Sequence, residues 1–171
     1  MTSIKLEKDN NIVHLIFDKE NSSVNLMDVA FADDLANAVN SILTQEFDGI
    51  IVRSAKSTFF VGGDINLLYK TNEDNLDQLS YMVDTLKSSM RKLETCAKPV
   101  VACINGSALG GGFELALACH HRIALKTPKL SLGLPEVTLG LLPGGGGVTR
   151  MVRLLGLQAA MPYLVQGQLF N

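Results

Sequence analysis

Alternation of short β-branched runs with amphipathic stretches predicts an α/β layered fold for this 171-residue chain. Three observations carry that expectation. Apolar and polar residues alternate at the start in the manner of a hairpin. Buried-strand runs recur at Gly49 to Arg53 and Pro99 to Ile104, and the stretches between them have helical periodicity. Apolar residues form 47% and charged residues 19% of the chain, which supports a packed core rather than disorder. The length fits a single domain over residues 1–171, with neither internal repeat nor linker.

The elements follow in order. Ile4 to Lys8 and Asn11 to Asp18 flank Asp9-Asn10 as two hairpin strands, with Val13, Leu15 and Phe17 on one face and His14 on a surface face. Asp28 to Glu46 is a helix, since Phe31, Leu35, Ala38, Val39, Ile42 and Leu43 fall at helical spacing. Gly49 to Arg53 is a buried strand. Residues 55–63 form a loop, and Asp64 caps a short helix through Tyr69. Asn75 to Thr95 is a second long helix, Pro99 to Ile104 a strand, and Gly111 to Ala118 a helix buried against it. Ile123 to Leu125 and Leu130 to Leu132 are short strands. Val148 to Leu155 and Leu157 to Val165 are helices, with a break or shifted boundary expected at Pro162.

Composition excludes several functions. A formal net charge of −2 gives no electrostatic case for nucleic acid or an anionic membrane. Cys96, Cys103 and Cys119 are odd in number and lack CxxC spacing, so they read as reduced thiols of a cytoplasmic protein. Cys119-His120-His121 fits a helix end better than a metal site, because adjacent residues rarely present ligands to one face. Met1 to Asn10 is polar and charged, unlike a secretory signal. Pro99 to Ala118 contains Asn105, Glu114 and many glycines and reads as core, not as a membrane span.

Two carboxylates stand out. Glu114 closes Asn105-Gly-Ser-Ala-Leu-Gly-Gly-Gly-Phe-Glu114, and Glu136 closes Leu132-Gly-Leu-Pro-Glu136 shortly before Pro143-Gly-Gly-Gly-Gly147. Both sit among small apolar residues, where burial of a charge is costly, and a pair so placed suggests acid–base work. Taken singly, the glycine runs read as tight turns, since P-loop and GxGxxG spacings are absent. Beside carboxylates they read differently. A helix starting near Gly110–Gly112 aims free N–H groups into a cleft, and Gly63 in Phe59-Phe-Val-Gly-Gly-Asp-Ile65 offers a second donor, as an oxyanion hole requires. Asp64 is better explained as an N-cap than as an acid, and Glu136 after Pro135 is also welcome at a helix start. Arg150 and Arg153 read as a solvated or interface face.

Four segments in this order resemble the crotonase superfamily, the enoyl-CoA hydratase/isomerase family. They are Phe60-Val-Gly-Gly-Asp-Ile65, Pro99-Val-Val-Ala-Cys-Ile-Asn-Gly106, Gly110-Gly-Gly-Phe-Glu-Leu-Ala116 and Pro135-Glu-Val-Thr-Leu-Gly-Leu-Leu-Pro-Gly144. Ala118-Cys-His-His-Arg122 and Leu132-Gly-Leu-Pro-Glu136 are similar to the hydratase part of bacterial multifunctional fatty-acid oxidation proteins. The resemblance implies a crotonase-like layered fold of repeated β-β-α units that lacks the family's C-terminal helices, so the chain reads as an N-terminal fragment of the domain.

It also implies roles. Gly63 and Gly111 correspond to the oxyanion-hole amides, Glu114 to the base on water, and Glu136 to the acid at the α-carbon. Val61, Asp64 and Ile65 fall on the substrate-binding segment, and Gly144 on a glycine beside the active-site water. The implied substrate is a coenzyme A thioester, with no further cofactor and no metal, and the implied assembly is a homo-oligomer, trimer or hexamer. Family isomerases keep only the acid at the position of Glu136, so possession of both glutamates implies hydration of a 2-trans-enoyl-CoA, with Δ3–Δ2 isomerisation as a secondary activity. The alternatives are another crotonase-type acyl-CoA enzyme, such as a thioester hydrolase, and an inactive structural fragment. The family commonly has alanine where this chain has Val61 and Gly63, and fewer glycines than the run 144–147, which implies a mobile segment there. Loss of the later helices implies exposure of Leu154, Leu155 and Leu157.

Overall fold

The computed structural model describes residues 2–170. β1 (Ile4–Asp9) and β2 (Ile12–Phe17) pair antiparallel around Asn10, which takes the left-handed φ of 53° that asparagine tolerates. β2 gives Val13, Leu15, Ile16 and Phe17 to the core. His14 lies on the face opposite Val13, Leu15 and Phe17, half-buried, where its Nδ1 accepts from Arg53 Nε at 3.3 Å. α1 (Val29–Leu43) begins where Asp28 accepts from the Phe31 amide at 2.8 Å, and it buries Phe31, Leu35, Val39 and Ile42. It stops before Glu46 because the Thr44 and Gln45 side chains both donate back to the Ser41 carbonyl.

β3 (Gly49–Ser54), α2 (Ile65–Lys70), α3 (Leu76–Thr95), β4 (Val100–Ile104), β5 (Ala108–Leu109), α4 (Gly111–Ala118) and β6 (His121–Ala124) follow. The main sheet runs β1-β2-β3-β4-β6, parallel from β2 onward. Parallel neighbours need crossovers, which α1, then α2 with α3, then α4 supply. β7 (Leu132–Gly133), a 3-10 turn at Pro135–Leu139, α5 (Gly147–Leu155), α6 (Leu157–Val165) and β8 (Leu169–Phe170) complete the described chain. β7 lies between β5 and β8 in a second, three-stranded sheet.

Three further elements differ from the sequence expectation. β6 starts two residues before Ile123, because pairing with β4 begins at Val101↔His121 and the partner rather than the strand's own apolar residues sets its limits. β7 lies at the end of the expected 130–132 segment for the same reason, its pairing with β5 starting at Ala108↔Leu132. α6 passes through Pro162 unbroken. The missing N–H would have bonded to the carbonyl of Gln158, an exposed residue that water can serve.

Phe17, Phe31, Phe59 and Phe60 meet edge-to-face, with ring centroids 4.8–5.7 Å apart. That cluster anchors the start of the Val61-Gly62-Gly63 loop. Asn25, 1% exposed, fastens it further. Its amide nitrogen donates to Ser54 Oγ (2.9 Å) and the Phe59 carbonyl (3.1 Å), its side-chain oxygen accepts from the Lys19 amide, and its carbonyl accepts from the Val61 amide. Asn25→Ala keeps the main-chain bond to Val61 but removes the side-chain bonds to Lys19, Ser54 and Phe59, and is expected to lower stability by about 1–3 kcal/mol, read from the urea midpoint.

The segment Cys119-His120-His121 diverges. Cys119 is buried at the end of α4, and burial pushes its thiol up to about 12, which removes it as a nucleophile. His120 Nδ1 accepts the Val100 amide at 2.9 Å, so Nε2 carries the proton and donates to the Glu94 carbonyl at 3.1 Å. Among the described residues no group of three or more His, Cys, Asp or Glu is placed to hold a metal, and no helix is long and apolar enough to cross a membrane. Leu154 and Leu157 are 55% and 65% exposed.

Candidate active site

α4 has no polar face: every residue from Gly112 to Ala118 is buried, Glu114 among them at 3% exposure. A buried carboxylate needs partners, and here they come from the glycine run. The Gly145 amide donates to both Glu114 oxygens (2.8 and 2.9 Å), and the Gly147 amide donates to Oε1 at 2.7 Å. Burial raises the Glu114 pKa above the ordinary carboxylate range, while those amides, Arg150 and Lys87 restrain the rise. A Cβ on Gly145 would stand 2.6 Å from Glu114 Oε2, and one on Gly147 2.8 Å from its Cγ. Close approach to Glu114 therefore explains glycine at these two positions.

The run 144–147 is tied down rather than mobile. Arg150 Nη1 donates to the Gly145 carbonyl at 2.9 Å, while Nε and Nη2 reach Glu94 at 3.1 and 3.2 Å. Only 12% of the Arg150 side chain is exposed, which corrects its reading as a solvated face. Arg153 is exposed as expected.

Glu136 sits in the 3-10 turn that Pro135 opens. Burial, with a smaller push from Glu114, raises its pKa to about 7, although its own amide favours the charged form. Its Oε2 is buried without a hydrogen-bond partner. Thr58 Oγ1 and Asn105 Oδ1 share that state among the described residues, but of the three residues Glu136 alone lines the cavity it shares with Glu114.

Both glutamates line one cavity of about 180 Å³ together with Gly63, Asp64, Gly111 and Gly144. Neither the Gly63 nor the Gly111 amide has a protein acceptor among the described residues. Two free donors, one from the 61–63 loop and one from the start of α4, thus border the cavity that both glutamates line, an arrangement suited to holding a carbonyl oxygen as negative charge develops on it. Asp64 caps α2, accepting from Asn66 (2.9 Å) and Leu67 (3.4 Å), as its sequence context suggested. Val61 and Ile65 are not part of the cavity wall: the Val61 amide serves the Asn25 contact, and Ile65 opens α2 with 59% of its surface exposed. Leu68, Met82, Val83, Leu86 and Leu142 make the remaining wall largely apolar.

A Cβ on Gly63 would meet nothing within 4 Å, and its φ lies outside the left-handed region. Gly63→Ala is expected to keep the N–H in place and to raise stability by about 0.4–1 kcal/mol through the unfolded chain, checked by urea titration. Sequence reasoning missed Met27 and the Glu94–Arg150 pair. Met27 lines the cavity, and its sulfur fills the space that a side chain at position 111 would need. No periodicity signals that contact.

The sequence profile of the enoyl-CoA hydratase/isomerase family matches residues 7–171. The chain is 37% identical over 167 residues to the fatty acid oxidation complex subunit alpha of Shewanella halifaxensis, covering 94% of this chain and 23% of that protein. It is 36% identical over 163 residues to the same subunit of Aliivibrio fischeri, with the same shares covered. The chain thus spans about a quarter of the length of these curated relatives. Among solved structures, an enoyl-CoA hydratase from Bacillus anthracis superposes with a TM-score of 0.88 at 32% identity, over 99% of this chain and 64% of that one. An enoyl-CoA hydratase from Bacillus halodurans gives 0.89 at 25% identity, over 99% and 67%.

Proposed function

Because the chain belongs to the enoyl-CoA hydratase/isomerase family, we propose that it adds water to 2-trans-enoyl-CoA thioesters. The observation that carries this reading is the pair of buried carboxyl groups, Glu114 and Glu136, on one cavity with two unengaged amides. The thioester carbonyl is held by the Gly63 and Gly111 N–H groups. Glu114, ionised, takes a proton from water as the oxygen adds to the β-carbon, and the resulting enolate is stabilised by the two amides. Protonated Glu136 then delivers its proton to the α-carbon. One proton enters Glu114 and one leaves Glu136, so the net addition is one water. The apolar wall at Met82, Val83 and Leu86 takes the acyl chain, and the chemistry uses no cofactor beyond the coenzyme A thioester itself. The relatives named as fatty acid oxidation subunits support a place in β-oxidation, and exposed Leu154 and Leu157 support self-association into a homo-oligomer.

Glu136, on the cavity beside the Gly63 and Gly111 amides, also supports a secondary isomerase activity, since one carboxyl proton can shuttle between the α- and γ-carbons of a 3-enoyl-CoA. Incubation with 2-trans- and 3-enoyl-CoA, with products identified by NMR, tests both. Recovery of unchanged 2-trans-enoyl-CoA would reject the hydratase reading.

The active form carries one proton on the pair, so the rate should be bell-shaped in pH. Hydration is expected to fall on the basic side as Glu136 ionises near 7, and on the acid side as Glu114 is protonated. Dehydration of the product uses the same singly protonated pair with the roles exchanged. The kcat/KM profiles in the two directions should therefore coincide in shape.

A further inference from the structure

The Glu114 carboxylate is aimed by a segment 31 to 33 residues further along the chain, and that segment consists of glycines with no side chains to fix it. Three consecutive peptide units are involved. The first donates through the Gly145 N–H and the third through the Gly147 N–H, both to Glu114. The middle unit presents the Gly145 carbonyl to Arg150. Arg150 lies in the first turn of α5 and grips Glu94, in the last turn of α3, through two further N–H groups. The guanidinium thus engages two partners at once through a rigid planar fork of donors, a geometry that the point charge of an ammonium does not reproduce. Glu94 is itself held by Arg91 at 2.8 Å, and its backbone carbonyl by His120.

We infer that Arg150 is a positioning residue: by clamping the Gly145–Gly146 peptide against Glu94, it fixes the two flanking amides that aim the Glu114 carboxylate at the cavity. The inference rests on the hydratase reading only for the reaction that Glu114 serves. The position of a buried ion pair alone would predict a contribution to stability and nothing more. The clamp predicts a local effect on two named amides and on turnover. Its charge also matters, since Arg150 and Lys87 hold the Glu114 pKa down while Glu136 faces it from across the cavity.

The test uses the full chain with Arg150→Met, and Glu94→Gln as a milder second variant should the first fold poorly. Steady-state hydration of 2-trans-enoyl-CoA gives kcat and KM. Amide hydrogen exchange by NMR follows Gly145 and Gly147 against Leu35 and Val39 of α1. The expected result is a fall in kcat of roughly 10²-fold, the scale of a small misplacement of a reacting group, with little change in KM. The acid limb of the pH profile should move to higher pH. Exchange at Gly145 and Gly147 should accelerate while α1 stays protected. Parental kcat overturns the inference, as does a loss of kcat with unchanged exchange at the two glycines or with exchange accelerated everywhere. If the parent chain itself does not hydrate the substrate, the failure belongs to the hydratase reading. Exchange then decides alone: local opening supports the clamp, and unchanged protection overturns it.

Discussion

Glu136→Gln is expected to lower kcat for hydration by about 10²–10⁴-fold, and Glu114→Gln by a similar factor, with the fold intact. Glutamine matches glutamate in shape but gives up no proton at neutral pH and accepts none from water. The two variants should differ in stability. Glu136 has its carboxyl raised to about 7 in the folded chain, above its ordinary value, so its contribution is present at acid pH and lost as pH rises through 7. Urea titration at pH 6 and pH 8 should show the parent losing more stability across that interval than Glu136→Gln. Glu114→Gln puts an NH₂ group among amides that are themselves donors, and should be destabilised at every pH. Stopped assays of product beside these titrations separate chemistry from folding. Parental turnover in both variants would remove the acid–base assignment.

Gly147→Ala is expected to damage activity, as is Gly145→Ala, where a Cβ would stand 2.6 Å from Glu114 Oε2. The Cβ added at Gly147 would lie 2.8 Å from Glu114 Cγ and 2.9 Å from both its Oε1 and Leu134 Cδ1, so it has no free side to turn to. Overpacking of this kind costs about 1–3 kcal/mol of stability. The easiest relief is withdrawal of the Glu114 side chain, which breaks the 2.7 Å contact from the Gly147 amide. A shift of that scale lowers kcat by roughly 10²-fold. Gly144→Ala is the control, since a Cβ there meets nothing within 4 Å. Equal rates for the two variants would show that the tightness around Glu114 is unimportant to turnover.

Much of the frame was legible because burial repeats with a period. Phe31, Leu35, Val39 and Ile42 announce α1, and Met82, Leu86, Met90 and Leu93 announce α3. The two glutamates were legible because charge among glycines and aliphatics needs a reason. Two-residue strands such as β5, β7 and β8 are too short to display an alternation, and their partners alone define them. The Glu94–Arg150 contact joins residues 56 apart, and each looks like an ordinary surface charge within its own helix. The run 144–147 misled for a related reason. Glycine signals freedom of the unfolded chain, whereas what restrains this run is a carboxylate and a guanidinium supplied by other elements.

The order of the main sheet bears on how the molecule comes into being. Its parallel ladders join β2 to β3, β3 to β4 and β4 to β6, each across a helical crossover, and such non-local pairings form slowly. The chemistry depends on a further closure, the meeting of α4 with the glycines that open α5. A chain that has condensed through β4 holds all four rings of its aromatic cluster and yet has no aligned base. During refolding, recovery of the proposed hydratase activity is therefore expected to trail compaction and helix formation.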